Sequence, residues 1–278
     1  MHLVAFRACI ASLVCVLFQS TVLFAQTVPN VDQEVSHILN ESLKFLGKQT
    51  DLESIKTLRT RGSLELLETG TKLDLELIQA DGKFLLILKS AAIEIRQGFD
   101  GEIAWETSPA LDRILEGEER ARVIEQNAVI FPGLLWSSGE FDGRIQLSGR
   151  QMIEGKHCLS LMFEPREGTP IRRFYDPESF MLRRVQTHHT MDGARVEILI
   201  KESDWRDVVF RGADDSGRVG DGPLESSESQ SVERIVKFPF MQQVAANRKL
   251  LYVLRKDSIE ANVVVDHRAF SLPKAFRR

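Results

Sequence analysis

The stretch that decides the fold is Ile93–Pro109, IEIRQGFDGEIAWETSP, which predicts two strands folded back on each other through Asp100-Gly101. An Asp-Gly pair between alternating segments is a strong hairpin signal, because both central residues of a tight hairpin turn take positive φ. Ile93 and Ile95 alternate with charged residues on the first strand, and we expect Trp105 on the second strand to lie on the same face. Nothing in the hairpin is chemically reactive, so its information concerns architecture.

The same period of two extends along the chain on both sides of this hairpin. Leu64 and Leu66 alternate with charged or polar neighbours, and turn residues such as Asp81-Gly82 separate one alternating segment from the next. Phe84 to Leu88 is continuously apolar, which predicts a strand that is covered on both faces. The alternation resumes at Arg144 and continues towards the C-terminus. The sequence therefore predicts a mainly β, α+β fold built on one meander of antiparallel strands.

The apolar residues of these strands form a candidate binding face. An ordinary sandwich would fill that face, whereas a sheet that curves into a half-barrel under helices would leave an apolar cavity. We predict that the following residues line it: Leu64, Leu66, Leu73, Leu75, Leu77, Leu86, Ile93, Ile95, Trp105, Leu161 and Phe163.

Two helical segments interrupt the strand pattern. Asn30 is a good N-cap for a helix whose apolar residues recur at helical spacing until Gly47, and Thr50 starts a shorter helical turn. Glu116 to Ala128 also has helical composition with a narrow apolar side. This second helix either caps one end of a curved sheet or forms a surface connection, and the sequence leaves both open.

The first 25 residues have the character of a signal peptide. Arg7 precedes the apolar run Ala8 to Phe18, which is too short to span a bilayer, and we expect cleavage near Ala25. A retained signal-anchor is the alternative. The remaining chain, 26–278, is predicted to form one domain with no transmembrane span.

Composition excludes several classes of function. The formal net charge of −4, without a long basic run, does not indicate nucleic-acid binding. Cys158 is the single cysteine after the signal peptide, so no internal disulfide is possible. His188 and His189 are neighbours on a predicted strand and point to opposite faces, which disfavours a metal site. No nucleophile–base pair or phosphate-binding loop is visible, so we predict no catalytic residue, cofactor or metal.

One segment of different composition follows Arg211. Residues 211–231 are rich in Gly, Ser, Asp and Glu, and they contain few large apolar side chains that burial could stabilise. We expect a flexible insertion within the domain.

Several short pieces together resemble a known family. They are Gly98-Phe99-Asp100-Gly101 with Trp105 and Pro109, Leu147-Ser148-Gly149 with Cys158-Leu159, Phe174-Tyr175-Asp176-Pro177 with Leu182, and Ile259-Glu260-Ala261-Asn262 with Asp266, Phe270 and Pro273. In this order they resemble the LolA-like family of periplasmic outer-membrane lipoprotein-sorting proteins. The resemblance implies an unclosed antiparallel half-barrel with helices over its concave apolar face, which shields the acyl chains of a lipoprotein.

Three functions follow from these observations. The first is a periplasmic carrier or binding protein whose partner is an acyl chain of a lipid or lipoprotein. The second is a periplasmic sensor or regulatory module on the same fold that binds an envelope protein partner. A secreted hydrolase ranks last, because no catalytic group is visible.

Overall fold

The computed structural model describes residues 33–127, 141–166, 169–191, 194–212, 232–273 and 276. The helices are α1 (Gln33–Leu46), α2 (Gln49–Glu53) and α3 (Gly117–Asn127), and a 3-10 helix (His267–Phe270) lies near the C-terminus. The strands are β1 (Thr57–Leu66), β2 (Thr71–Ala80), β3 (Lys83–Lys89), β4 (Glu94–Phe99), β5 (Ala104–Ser108), β6 (Leu111–Leu115), β7 (Gly143–Ile153), β8 (Lys156–Pro165), β9 (Ile171–Tyr175), β10 (Leu182–Met191), β11 (Ala194–Gly212), β12 (Val232–Ala246) and β13 (Lys249–Ala261).

These strands form one 13-stranded antiparallel sheet in the order β6-β5-β4-β3-β2-β1-β13-β12-β11-β10-β9-β8-β7. Strands that are neighbours in the sheet are also consecutive in sequence, except for β1 and β13, which pair in the middle of the sheet. Strands β6 and β7 are the two edges, and they do not pair with each other within the described chain. The sheet is an unclosed half-barrel with few helices, which confirms the predicted fold class.

Alternating side chains give the sheet an inner face, covered by α1 and α3, and an outer face. In the β1–β2 pair Leu64 lies opposite Leu73, and both are buried on the inner face. In β3 the residues Phe84, Leu85 and Leu86 are all buried. The prediction that this strand is covered on both faces is therefore confirmed.

The Asp100 hairpin forms, but its turn differs from the expected one. Gly101 has a φ of 104°, whereas Asp100 is not among the residues with positive φ. The Asp100 carboxylate instead accepts hydrogen bonds from the backbone N–H groups of Glu102, at 2.9 Å, and Ile103, at 2.7 Å. Asp100 therefore precedes the two central residues, and its carboxylate holds the turn together. A two-residue turn with positive φ at both positions does occur at Asp81-Gly82, where φ is 49° and 73°.

The helical predictions are largely confirmed. Helix α1 ends at Leu46, immediately before Gly47, although its predicted cap Asn30 lies outside the described residues. The short helix α2 has Lys48 as its N-cap, so the prediction that Thr50 starts this turn is wrong. Helix α3 matches the predicted segment after Glu116.

The predicted insertion connects two adjacent antiparallel strands. Arg211 pairs with Glu233 and Gly212 pairs with Val232, so the first residues assigned to the insertion belong to β11. That boundary of the prediction is wrong, because these residues continue the β11–β12 ladder. The remainder, 213–231, lies outside the described residues, as does the predicted signal peptide 1–25.

Candidate functional site

A continuous apolar cluster occupies the inner face and contains nearly all of the predicted binding residues. Leu64 is fully buried, and Leu75 and Ile95 are each 3% exposed. We call this group the large apolar cluster. The predicted members that the structure brings together in it are Leu64, Leu66, Leu73, Leu75, Leu77, Leu86, Ile95, Leu161 and Phe163, with Ile93 partly buried against it.

Trp105 is the exception, and the prediction that it shares the inner face is wrong. It pairs with Gly98 across the β4–β5 hairpin, while the inner-face residue Phe99 pairs with Ala104. Two central turn residues place odd-numbered residues of one strand opposite even-numbered residues of the next. Trp105 therefore points outwards. Its indole N–H donates a 3.2 Å hydrogen bond to the carbonyl oxygen of Phe270, so it packs against the C-terminal segment.

The two helices cover different parts of the inner face. Helix α1 contacts β12 and β7, and it buries Val35, Ile38 and Leu39 against the large apolar cluster. Helix α3 contacts β3 and β5 and buries Val123 in the same cluster. The helical insertion therefore caps the sheet, and the alternative of a plain surface connection is excluded.

A second apolar group lies beyond the first on the same face, under the end of α1. This small apolar cluster includes Leu43 of the helix and Leu58 of β1. Each of four strands passes from one cluster to the other through a polar residue, where alternation would place an apolar one. The residues at this crossing are Thr60 on β1, Glu202 on β11, Gln242 on β12 and Lys256 on β13.

We call these residues, with Arg173 of β9, the polar seam. Arg173 and Lys256 are each 6% exposed and Gln242 is 3% exposed, so the seam is part of the interior. Glu202 and Gln242 are directly opposite each other in the β11–β12 ladder, and their side chains are hydrogen-bonded. The Arg173 guanidinium also lies 5.5 Å from the ring centroid of Phe163 in the large apolar cluster.

Burial dominates the electrostatics of the seam. It lowers the pKa of Lys256 from 10.5 to about 8, although the nearby Glu202 carboxylate acts in the opposite direction. Burial also raises the pKa of Glu202, against the influence of Lys256, Arg173 and Gln242. Both shifts have one cause, because a buried group loses hydration in its charged form. Burial also raises the pKa of Tyr175. The side chain of Tyr175 is hydrogen-bonded to Arg173.

The lysine shift predicts a rise in stability at alkaline pH. Between the folded pKa of about 8 and the unfolded value of 10.5, the unfolded chain binds a proton that the folded chain does not. The free energy of unfolding therefore increases with pH in this window, by up to about 3 kcal/mol. Lys256→Met should remove that increase, as measured by urea unfolding between pH 7 and pH 10. If the free energy of unfolding rises equally with pH in both proteins, the assignment to Lys256 is wrong. The raised pKa of Glu202 has the opposite effect, because it makes the free energy of unfolding fall as pH rises from acidic values.

Irregularities of the strands coincide with the seam. The β1–β13 register shifts between Arg61 and Gly62, and Gly62 pairs with Lys256. In β11, Asp204 has a φ of 56° and follows Glu202 by two residues. Bulges bend strands and re-aim side chains, and they are frequent beside functional sites. Here the irregularities lie beside Lys256 and Glu202, where β13 and β11 pass from the large to the small apolar cluster.

Other candidate chemistry is sparse in the described chain. No group of three or more metal-binding side chains forms within the described residues. Cys158 is buried on the outer face with Ile153 and Phe174, and burial raises the pKa of its thiol. Within the same described residues, no helix is long and apolar enough to span a membrane.

Sequence reasoning missed the polar seam, although a signal for it was present. Lys256 follows Tyr252 and Leu254 at every second position of β13, and these residues point into the interior. Gln242 lies in the same way between the buried residues Phe240 and Val244 of β12. A polar residue at an apolar position of a strand is therefore the informative feature. Arg173 carries the same signal, because it lies between the inner-face residues Ile171 and Tyr175 of β9.

Comparison with known proteins supports the fold. A LolA superfamily protein from Nitrosomonas europaea has 9% sequence identity and a TM-score of 0.51, and the match covers 89% of this chain and 99% of that chain. The chain has a LolA-like fold. A protein of the DUF1329 family from Desulfovibrio piger has 10% identity and a TM-score of 0.51, covering 86% of this chain and 98% of that one. No model of a protein family matches, and no curated protein matches.

These structural matches confirm the architecture that the resemblance implied. Both cover nearly the whole of the related chain, so the LolA-like fold extends across both halves of the sheet. At 9% and 10% identity the similarity concerns the fold alone.

Proposed function

We propose that this protein is an exported periplasmic carrier or binding protein that shields an acyl chain of a lipid or lipoprotein, and that it is not an enzyme. One observation carries the proposal: the predicted apolar residues, apart from Trp105, converge on one helix-covered face of a sheet that does not close. In a half-barrel this face is enclosed by helices and not by a second sheet. The acyl chain would lie on the inner face of the sheet, in place of the contacts that α1 makes there.

The free energy lost when α1 leaves the inner face is offset by the free energy gained when an acyl chain is buried there. Helix α1 buries Val35, Ile38, Leu39 and Leu43, and exposing aliphatic side chains of this size costs about 2 kcal/mol each. Burial of an acyl chain contributes about 0.8 kcal/mol per methylene, so roughly ten methylenes offset the loss of the contacts of α1. An acyl chain of ordinary length can therefore replace the helix on the inner face, whereas a short apolar molecule cannot.

Export is part of this proposal, and it rests on residues 1–25. Cleavage near Ala25 would release the chain into the periplasm, where a lipid carrier acts. N-terminal sequencing of protein recovered from the cell envelope should find a start near Gln26. Recovery of intact Met1 would contradict cleavage and leave the signal-anchor alternative.

The direct test is binding of a fluorescent fatty acid to the purified protein. Leu75→Asn places an amide on the inner face, where desolvation of a polar group is unfavourable, and should weaken binding by about 10-fold or more. Leu85→Asn is the matched control, because Leu85 is buried in the outer-face cluster with Trp105. Circular dichroism identifies variants that have lost the fold.

The carrier proposal predicts different acyl-chain binding for the inner-face and outer-face variants. Weak binding by Leu75→Asn with normal binding by Leu85→Asn supports an inner-face site. Equal loss in both variants indicates a general effect on stability. If the wild-type protein binds no acyl probe at micromolar concentration and carries no lipid through purification, the carrier function is wrong and binding of an envelope protein partner takes precedence.

A further inference from the structure

The polar seam is an unusual feature in a face that shields hydrocarbon. Two cationic side chains, Arg173 and Lys256, accompany one carboxylate, Glu202, so the formal charge of the three groups is +1. They lie where the large and small apolar clusters meet. A buried pair of opposite charges is seldom more stabilising than aliphatic side chains of similar size. Stability of the fold therefore does not account for the seam.

Gln242 gives an independent indication of a ligand. The residue is 3% exposed, and its side chain is hydrogen-bonded to Glu202. Its Oε1 atom is buried and has no hydrogen-bond partner among the described residues. An unpartnered buried carbonyl oxygen destabilises a protein, because it has lost its hydration without gaining a hydrogen bond. A ligand that supplies a donor at this point, such as a hydroxyl, would remove that cost.

We infer that the polar seam binds the anionic headgroup of a single-chain amphiphile whose acyl chain occupies the large apolar cluster. The Arg173 guanidinium and the Lys256 ammonium would donate hydrogen bonds to the headgroup oxygens. A carboxylate or a phosphate satisfies this chemistry, and a hydroxyl beside a phosphate would in addition donate to Gln242. This inference rests on the proposed acyl-chain function and specifies the ligand class.

Glu202 has a definite role in this arrangement. Without ligand, its carboxylate lies near both cations of the seam and compensates part of their charge. An incoming anion competes with it for the same two positive charges. Glu202→Gln removes the competing charge without changing the size of the side chain, so it should strengthen binding of an anionic ligand. A merely structural Glu202 would give the opposite result, because its loss would weaken the site.

The experiment compares ligands of equal chain length in competition with a fluorescent acyl probe. The ligands are lauric acid, methyl laurate and lauroyl lysophosphatidic acid. We expect both anionic ligands to bind at least about 10-fold more tightly than the ester, because hydrogen bonds to charged groups are stronger than those to neutral groups. Inorganic phosphate, which lacks the acyl chain, should not displace the probe at the same concentration. Tighter binding of the lysophosphatidic acid than of lauric acid would identify phosphate with its hydroxyl as the headgroup.

The variants separate the seam from the general charge of the protein. Lys256→Met should lower the affinity for lauric acid about 10-fold and leave that for methyl laurate unchanged. Glu202→Gln should raise the affinity for lauric acid. Lys237→Met is the matched control, because Lys237 lies on β12 with its ammonium paired with exposed Asp207 and outside the seam.

The outcomes distinguish this inference from the function on which it rests. If methyl laurate binds the wild-type protein as tightly as lauric acid, the headgroup site is wrong while the carrier function stands. If none of the three ligands displaces the probe, or the probe itself does not bind, the carrier function fails as well. The wild-type comparison decides even where a variant does not fold. Weaker binding of lauric acid to a folded Glu202→Gln protein would also overturn the inference.

Discussion

Replacing Gly62 with valine should reduce the free energy of unfolding by about 3 kcal/mol or more. A Cβ atom at Gly62 would lie 2.0 Å from the carbonyl oxygen of Arg255 and 2.8 Å from the Cα atom of Lys256. Both are backbone atoms of β13, so no side-chain rotation can relieve the clash. The two central strands would have to separate at the register shift. Urea unfolding measures the loss.

A glycine in a turn provides the control for this substitution. Gly70 has a φ of 65°, and nothing lies within 4 Å of a Cβ atom built on it. Asparagine tolerates this backbone conformation, so Gly70→Asn should change stability by less than about 1 kcal/mol. A Gly62→Val protein as stable as Gly70→Asn would show that β1 and β13 are not in close contact at this point.

Trp105→Ala should destabilise the protein by about 3–5 kcal/mol without affecting acyl-chain binding by protein that remains folded. The indole is 2% exposed and packs on Gly98 and the C-terminal segment. Its removal leaves a cavity on the outer face and frees the segment after Asp266. We expect faster tryptic cleavage at the exposed Arg268 than in the wild-type protein.

This prediction is checked by measuring stability and acyl-chain binding on the same variants. Trp105→Phe retains most of the apolar contact and loses the hydrogen bond to the carbonyl oxygen of Phe270. It should therefore lie between the wild-type protein and the alanine variant in stability. Loss of acyl binding in folded Trp105→Ala would restore the interpretation in which this residue lines the binding face.

Local alternation was sufficient to predict the sheet and most of its apolar face. Leu64, Leu73 and Leu75 could be assigned because each lies in a strand of regular period between recognisable turns. Trp105 was assigned to the wrong face because alternation was followed along each strand without pairing the two strands. A turn with two central residues places Trp105 opposite an even-numbered residue of β4, and therefore on the face opposite to that of Ile95. This holds for the expected central pair Asp100-Gly101 and for the observed pair one position later.

The polar seam depends on information that no single strand contains. Lys256, Gln242 and Glu202 come together only after β11, β12 and β13 are paired, and Arg173 joins them from β9. The register shift at Gly62 also decides which residues of β13 point inwards. Sequence alternation alone reveals each polar residue as an irregularity but does not show that the irregularities meet.

The pairing of β1 with β13 in the middle of the sheet has a kinetic consequence. Asn262 closes this junction: its backbone N–H donates to the carbonyl oxygen of Thr57 at 2.8 Å, and its side-chain oxygen accepts from the N–H of Lys56 at 2.9 Å. These partners are separated by more than two hundred positions, and contacts so distant in sequence form slowly. Because a protein is synthesised from its N-terminus, strands β1–β6 are complete long before β13 is made. Until β13 is synthesised, the edge of β1 that pairs with it therefore stays open, and a chaperone that protects this edge would favour productive folding.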